Sequence, residues 1–350
     1  MKKLNIALIN PPVAGHKLRG TGTYGEELFR ALKKMRRIQV SQVNYGSSLD
    51  EFDVAHYPYF DPFFLTLPVI KPKPTIVTVH DLIPLRFPGQ FPRGVKGEIK
   101  WFIQRFSLQS AKIVLTDSVA SKNDIAEFTD IDKERIKVIY LGVRSEFRVI
   151  KQGNVLEKIK KKYQLPEKFL LHVGDVNYNK NIPGIIKAFA KLSKKYSDLH
   201  LVLVGNGFRE DSLQLHQLIG LISEDDLSNK VRRLGFIELS DLTGVYNLAQ
   251  VYLQPSYAEG FGLPVLEAMI CGCPVISSHT SSLPELVGEA SLLIDPYNEE
   301  DMTNSIEKVL KNKKRRQDMI EAGFKRAKEF SWEKCAEKTL EVYQSLFNTT

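Results

Sequence analysis

The chain has 350 residues, 43% of them hydrophobic and 26% charged, the composition of a soluble globular protein too long for one ordinary core, so two domains are expected. No apolar run approaches the ~20 residues that span a bilayer, which excludes a membrane-spanning helix. The formal net charge of +8 is uneven: residues 1–150 hold 23 Lys and Arg against 15 Asp and Glu, and residues 151–350 hold 26 of each, so the excess lies in the first part, where it suits plain solubility or an anionic partner surface.

In chain order, short apolar runs alternate with longer amphipathic stretches. "LNIALI" meets Pro11-Pro12 and reads as a buried first strand, not as a signal peptide. Gly20-Thr21-Gly22 follows and leads into a helical pattern from Tyr24. "TIVTVH", "KIVLTD" and "IKVIYLG" read as buried strands rich in Ile and Val. In "EIKWFIQRFSLQSA", Ile99, Phe102, Ile103 and Phe106 mark one apolar helix face. Ser118 and Ser121 are plausible N-caps for a helix through Phe128. A polar, lysine-rich stretch places the linker near Phe147–Gly153, dividing the chain into domains 1–150 and 151–330. The alternation then restarts with "KFLLHV", "LHLVLVG", "VRRLGF", "QVYLQPS", "CPVISS" and "ASLLIDP". Such alternation predicts two doubly wound α/β domains facing a cleft. The basic run "KNKKRR" reads as the solvated end of a helix, not as a nucleic-acid patch. Cys271, Cys273 and Cys335 make neither a disulfide framework nor a zinc site, which points to a reducing cytoplasm.

The most informative stretch is "EGFGLPVLE", Glu259 to Glu267. It follows a strand, and Pro264 suits a first helical turn. The amides of such a helix start cradle an anion, and Gly260 and Gly262 let a ligand approach the backbone; a diphosphate suits the place. Carboxylates repel phosphates, so Glu259 and Glu267 need another task. Glu267, read as lying in the first turn, would grip a vicinal diol such as a ribose, and Glu259 a hydroxyl or developing positive charge at the other end of the ligand. An ordinary capped helix with one surface glutamate satisfies the same spacing. Gly20 and Gly22 read as a second anion cradle ahead of a helix, or as a surface turn. His80-Asp81 ends a strand, where open α/β sheets present residues to the ligand crevice; His80 would donate to a sugar hydroxyl or carbonyl, and Asp81 would shape the turn. Lys180, in the loop after Gly174, supplies a point charge for phosphate or is a solvated surface lysine. Asp130-Ile-Asp132 has the form of a metal-binding pair but reads as turn and capping residues.

The stretch "PSYAEGFGLPVLEAMICGCPVISSHTSSLPELVG" resembles the donor-binding signature of the retaining glycosyltransferases of family 4, which have the two-domain GT-B fold. "RGTGTYGEELFRAL", "TIVTVHDLIPLRFP", "LLHVGDVNYNKNIPGIIKAF" and "FSWEKCAEKTLEVYQSL" resemble that family's glycine loop, its His-Asp strand end, its phosphate loop and its final helix. The resemblance implies that residues 331–350 form a helix packing back on the first domain. It also implies that Glu267 holds the ribose, that Glu259 and His80 contact the transferred sugar, and that the amides of Phe261, Gly262 and Leu263 take the diphosphate and sugar. Gly235 and Phe236 are expected beside the base. Many members carry Arg where this chain has Asp175 or Asn179; Lys180 is then the remaining fixed cation, with Arg86 a candidate to compensate. The expected activity is metal-independent, cofactor-free, retaining sugar transfer from a nucleotide-diphosphate sugar. GDP-mannose is the preferred donor, with UDP-glucose, UDP-N-acetylglucosamine and dTDP-rhamnose open. The acceptor is expected to be a saccharide or lipid-linked saccharide of a surface polymer, met at the membrane face by the basic first domain of a cytoplasmic protein. No nucleic-acid partner is expected. A non-hydrolysing nucleotide-sugar epimerase and a degenerate nucleotide-sugar binding protein stay open as alternatives.

Overall fold

The computed structural model describes residues 3–12 and 20–347. The chain divides into two compact units, Met1–Gly142 with Phe330–Thr350, and Val143–Glu329. Among the described residues the first unit holds β1 (Leu4–Asn10), β2 (Ile38–Asn44), β3 (Val54–Tyr57), β4 (Thr75–Thr78), β5 (Ile113–Thr116) and β6 (Ile136–Val138), in the order β2-β1-β3-β4-β5-β6. The second holds β7 (Lys168–Val173), β8 (Leu199–Val204), β9 (Val231–Leu234), β10 (Val251–Gln254), β11 (Val275–Ser278) and β12 (Leu292–Ile294), in the order β12-β11-β10-β7-β8-β9. Every neighbouring pair is parallel. Helices cover both faces of such sheets, so every residue of β3, β4, β10 and β11 is buried, which is why the strands read as continuous apolar runs.

Strand order decides where a ligand goes. In the second unit the order reverses between β7 and β10, and in the first between β1 and β3. Helices leave those adjacent strands on opposite faces, so a crevice opens at their carboxyl ends. Loops after β7 and β10 carry Gly174–Lys180 and Ser256–Gly262 to one such crevice. The helix Gly20–Lys33, next in the chain after β1, and Pro58, next after β3, belong to the other.

The helix Trp332–Ser345 belongs to the first unit. It buries Trp332, Cys335, Ala336, Thr339, Leu340 and Tyr343, one helical stripe, against the helix Gly20–Lys33. No helix among the described residues is long and apolar enough to cross a membrane.

Four local expectations are completed or corrected. The apolar face of the helix Gly94–Gln109 points outward: Ile99, Phe102 and Phe106 are exposed, whereas Gln104, Ser107 and Leu108 are buried. The helix at Gly20 begins four residues before Tyr24, so Gly20-Thr21-Gly22 is its first turn rather than a loop ahead of it; Arg19 of that motif lies outside the described residues. Phe147 and Ile150 do not link units but pack on the second: Phe147 lies edge-on to Tyr246 and the Ile150 amide donates to Asn247 Oδ1 (2.8 Å). Of the two serines, Ser118 is the cap and accepts from the Ser121 amide, while Ser121 Oγ donates to the His80 carbonyl.

Gly205, after β8, has φ +152°, and a Cβ there would overlap the Gly174 carbonyl oxygen. Gly205→Ala is therefore expected to cost about 3 kcal/mol, strain and displaced loop together. Gly153→Ala, with open space around it, should be neutral; urea unfolding of both variants checks the contrast.

Candidate functional site

In the second unit, Glu259 stands between β10 and the helix Leu263–Ile270. Lys180 ends a 3-10 turn, Tyr178–Lys180, beyond β7. Asn179 fastens the two segments: its Nδ2 donates to the Ala258 carbonyl (3.0 Å) and its carbonyl accepts from the Tyr257 amide (2.7 Å). This is a physical use for asparagine where the resemblance leads one to expect arginine. Lys180 Nζ then donates to both carboxylate oxygens of Glu259 at 2.8 Å. The side chains are only 17% and 8% exposed. Gln254 Nε2 and Ser256 Oγ each donate to Glu259 Oε1 at 2.6 Å. Four short charge-assisted contacts fix the carboxylate and cancel its charge against the ammonium.

The loop is as firmly held. Ser281 Oγ donates to the Glu259 carbonyl (2.8 Å), and Ser282 Oγ lies 2.9 and 3.0 Å from the carbonyls of Glu259 and Phe261. Phe261 is buried, so this loop would meet a ligand through backbone. Gly262 is the helix N-cap at φ +108°, left-handed, with no side-chain hydrogen bond capping the turn. In that turn Pro264 has no N–H and the Val265 amide donates to the Gly262 carbonyl (2.9 Å), which leaves the Leu263 amide to meet an anion.

Glu267 is the fifth residue of this helix, so it lies past the first turn, correcting the expected placement. It accepts from Tyr246 Oη (2.9 Å). Burial pushes its carboxyl up to about 7, against the Tyr246 hydrogen bond and the charge of Arg144. Burial also pushes the Tyr246 and Tyr252 hydroxyls up, so both stay protonated donors. Their rings meet edge-on at 5.7 Å, and Tyr252 Oη donates to Gln254 Oε1. A buried tyrosine bridge thus connects the surroundings of Glu267 with those of Glu259 and Lys180.

Gly174 follows β7 directly, beside Lys180 Cε. Underneath lies His172, whose Nδ1–H donates to the Leu253 carbonyl (2.9 Å). Burial pulls its imidazole down to about 4. The neutral ring therefore turns Nε2, a buried acceptor without a partner, toward Gly174. Gly235 and Phe236 follow β9 on the same carboxyl edge, two strands from β7, with Phe236 exposed and Gly235 against Arg209. The hydrogen bonds around Glu259 do not extend to them.

In the first unit, His80 lies two residues beyond β4 and is nearly enclosed. Its Nδ1 is 2.5 Å from Asp117 Oδ2 and its Nε2 is 3.1 Å from the Pro58 carbonyl. A carbonyl only accepts, so Nε2 carries hydrogen; a carboxylate on the other nitrogen favours the imidazolium. Burial opposes the charge, but Asp117, the Pro58 carbonyl and Asp81 outweigh it, and the pKa is raised. Tyr24 sets its ring edge against His80 at 4.8 Å and shares Thr78 Oγ1 with His56 Nε2. His56 Nδ1 meets Tyr343 Oη of the last helix at 2.7 Å. Burial and the charge of His80 hold His56 down to about 3. The helix that begins at Gly20, Gly22 within its first turn, and the last helix therefore both touch the floor under His80.

Asp117→Asn is expected to let burial win, returning His80 to neutral and lowering turnover about 10²-fold. The His80–Asp117 contribution to stability is present in full below the unfolded value of 6.5 and is lost as pH rises through the raised folded one. Imidazole chemical shifts followed through a pH titration check the change.

Arg86 is engaged with Asp124 and Glu127, so it is not a spare cation. Asp130 caps the helix Val119–Thr129 in left-handed conformation and Asp132 caps the next turn. Among the described residues no three His, Cys, Asp or Glu group closely enough to hold a metal ion. Asp117, Gln254, Ser256, Tyr246 and His172 escaped sequence reading. A strand ending "LQPS" beside a glutamate was the one available signal for Gln254 and Ser256.

Residues 156–326 match the family described as Glycosyl transferases group 1, and residues 12–147 match Glycosyltransferase Family 4. The first match contains Lys180, Glu259 and Glu267, the second His80. The chain is 32% identical over 299 residues to the O-antigen chain mannosyltransferase B of Escherichia coli, covering 84% of this chain and 76% of that one. It is 27% identical over 83% of its length to the serotype-specific mannosyltransferase WbdA of Escherichia coli, of which it spans 36%. In fold it is similar to HepE of Anabaena, solved in complex with UDP and glucose, with TM-score 0.75, 17% identity and coverage of 98% of this chain and 100% of that one. The fold likeness extends over both doubly wound units, the GT-B class that the sequence led one to expect. The chain belongs to family 4 of the glycosyltransferases and is a glycosyltransferase.

Proposed function

We propose that the chain moves mannose from GDP-mannose to a hydroxyl of a saccharide or lipid-linked acceptor, keeping the anomeric configuration, in the assembly of a surface polysaccharide. The observation that carries this reading is the Lys180–Glu259 pair, set at the strand-order reversal beside a glycine-capped helix start. The names of the relatives support mannose. In this reading the pyrophosphate takes the amides of Gly262 and Leu263, with Phe261 and Gly260 approaching through backbone, and draws the Lys180 ammonium to itself. Glu259 then turns from its ion pair to the sugar hydroxyls, held in place by Gln254 and Ser256. Glu267 holds the ribose diol, Gly174 lets the phosphates approach, and Gly235 and Phe236 border the base.

The chemical demand is charge stabilisation at a leaving phosphate and an oxocarbenium-like carbon. The helix start and Lys180 meet the first, and Glu259 the second. No metal ion is needed in this reading. His80, as an imidazolium, offers Nε2–H to the sugar in exchange for the Pro58 carbonyl, and Gly20 and Gly22 present first-turn amides. In this reading the protein works in the cytoplasm and takes its acceptor at the membrane face.

The test incubates the protein with GDP-mannose, UDP-glucose, UDP-N-acetylglucosamine and dTDP-rhamnose, with and without lipid-linked saccharide, in the presence of a chelator. GDP release only from GDP-mannose and only with acceptor is expected, and proton NMR of the product should show the donor's anomeric configuration. Conversion of a UDP-sugar without acceptor would indicate an epimerase, and tight binding without turnover a binding protein; either result removes this reading.

A further inference from the structure

We propose that the outward face of the helix Gly94–Gln109, with the loop that leads to Ile70, is a docking surface for an anionic lipid bilayer. The inference rests on the reading above only in placing the acceptor at a membrane. Val95, Ile99, Phe102 and Phe106 recur at helical spacing on one face, and all four are exposed, Val95 by 78% and Phe102 by 74%. An amphipathic helix on a globular protein normally turns such a stripe inward; here the buried side holds Gly97, Gln104 and Ser107 together with Leu108. Gln104 Oε1 accepts from the Thr66 and Leu67 amides at 2.9 and 3.0 Å, and its Nε2 donates to the Leu67 carbonyl (3.2 Å). Ser107 Oγ donates to the Pro68 carbonyl (2.7 Å), and Lys71 Nζ to Ser107 Oγ (2.8 Å). These bonds fix the helix orientation, so the exposed stripe is built in and not the result of a loose helix. They also pin the loop so that Phe64 and Ile70 extend the apolar surface.

Charge selects the occupant. At 100° per residue, Lys96 flanks the stripe on one side with Lys100 further round, and Glu98 flanks it on the other. Lys100 Nζ lies over the Phe64 ring at 5.2 Å, its stem along apolar surface and its charge at the rim. The helix's single acidic residue, Glu98, is paired with Arg93. Residues 1–150 carry the chain's entire excess of +8. Two copies meeting through this face would oppose like charges, whereas anionic headgroups beside an acyl boundary satisfy both lysines and aromatic side chains. An apolar face with a basic border is the pattern of a helix lying in the interface plane.

The test is sedimentation of the full chain with vesicles of phosphatidylcholine mixed with phosphatidylglycerol, and with vesicles of phosphatidylcholine alone, without donor or acceptor. The protein is expected to sediment with the mixed vesicles, weakly with the neutral ones, and less as salt rises. The pair Ile99→Gln and Phe102→Gln is expected to lower the bound fraction about tenfold while leaving circular dichroism and turnover of a soluble acceptor unchanged. Lys96→Glu with Lys100→Glu should act similarly on mixed vesicles only, and Phe102→Trp should show a blue shift in fluorescence when they are added. Failure to sediment overturns the proposal. So does equal binding by the Gln pair, or a concentration-dependent dimer that the Gln pair abolishes. Because vesicle binding is read without substrate, its loss and the absence of sugar transfer are separate results.

Discussion

Removing either half of the Lys180–Glu259 pair is expected to cost stability and turnover, but unequally, and to change nucleotide affinity in opposite directions. Both side chains are nearly enclosed, and breaking a buried pair by removing one partner costs about 3–5 kcal/mol because the other charge is left unpaired. Glu259→Ala removes both acceptors of the ammonium and falls at the upper end of that range. Lys180→Met leaves the carboxylate with Gln254 and Ser256, each at 2.6 Å, so its cost should be about half as large. The double variant Lys180→Met with Glu259→Gln should regain most of the loss, since no buried charge remains, and urea unfolding reads all three. Turnover should fall about 10²–10³-fold in every variant, with no recovery in the double. Affinity separates the roles most sharply. In the unliganded protein Glu259 competes with a pyrophosphate for Lys180, so Glu259→Gln is expected to bind GDP more tightly while losing transfer, and Lys180→Met to bind it about tenfold more weakly. Calorimetry with GDP decides between this and a purely structural pair, for which both variants would bind more weakly.

How much of this was legible in the sequence follows from how local each feature is. Strands buried on both faces read as unbroken apolar runs, so "FLLHV" and "LVLVG" announced themselves as β7 and β8. The Glu259–Glu267 loop was legible because a glycine turn, a proline and a helix start are neighbours in sequence. Partners distant in sequence were not. Lys180 and Glu259 are 79 residues apart, and His56 and Tyr343 are 287 apart; spacing along a chain carries no information about which crossover brings such residues together. Periodicity showed that the helix Gly94–Gln109 has an apolar stripe, but a stripe has no sign. Its outward direction depends on Gln104 and Ser107 bonding a loop some 40 residues earlier, at separations of 37 to 39 residues. Glu267 was read within the first turn because Pro264 fits either of the first two helical positions; the helix opens one residue earlier, at Leu263, which makes Glu267 fifth.

That position of Glu267 leads to the second large effect, a proton released when nucleotide binds. The carboxyl is raised from 4.5 to about 7 because burial disfavours its charge. Below about 4.5 it is protonated in both folded and unfolded chain and costs nothing; as pH rises from there to about 7, only the unfolded chain ionises, and stability falls. Above about 7 the penalty is complete, about 3 kcal/mol. Glu267→Gln keeps an oxygen for the Tyr246 hydroxyl and is expected to be more stable than the parent by about that amount at alkaline pH, with a flatter dependence between. A ribose diol donates to a carboxylate and so favours its charged form, pulling the pKa back down. Binding of GDP at about pH 6 should therefore release close to one proton, read as a binding heat that varies with the ionisation enthalpy of the buffer. The release should vanish at alkaline pH, where the carboxylate is already ionised, and in Glu267→Gln at any pH. Release that survives the substitution would assign the proton to another group, and none in the parent would mean that the diol does not reach Glu267. The same measurement separates the two carboxylates, because Glu259 meets its ligand already bound to an ammonium and Glu267 meets it as an acid held by a tyrosine.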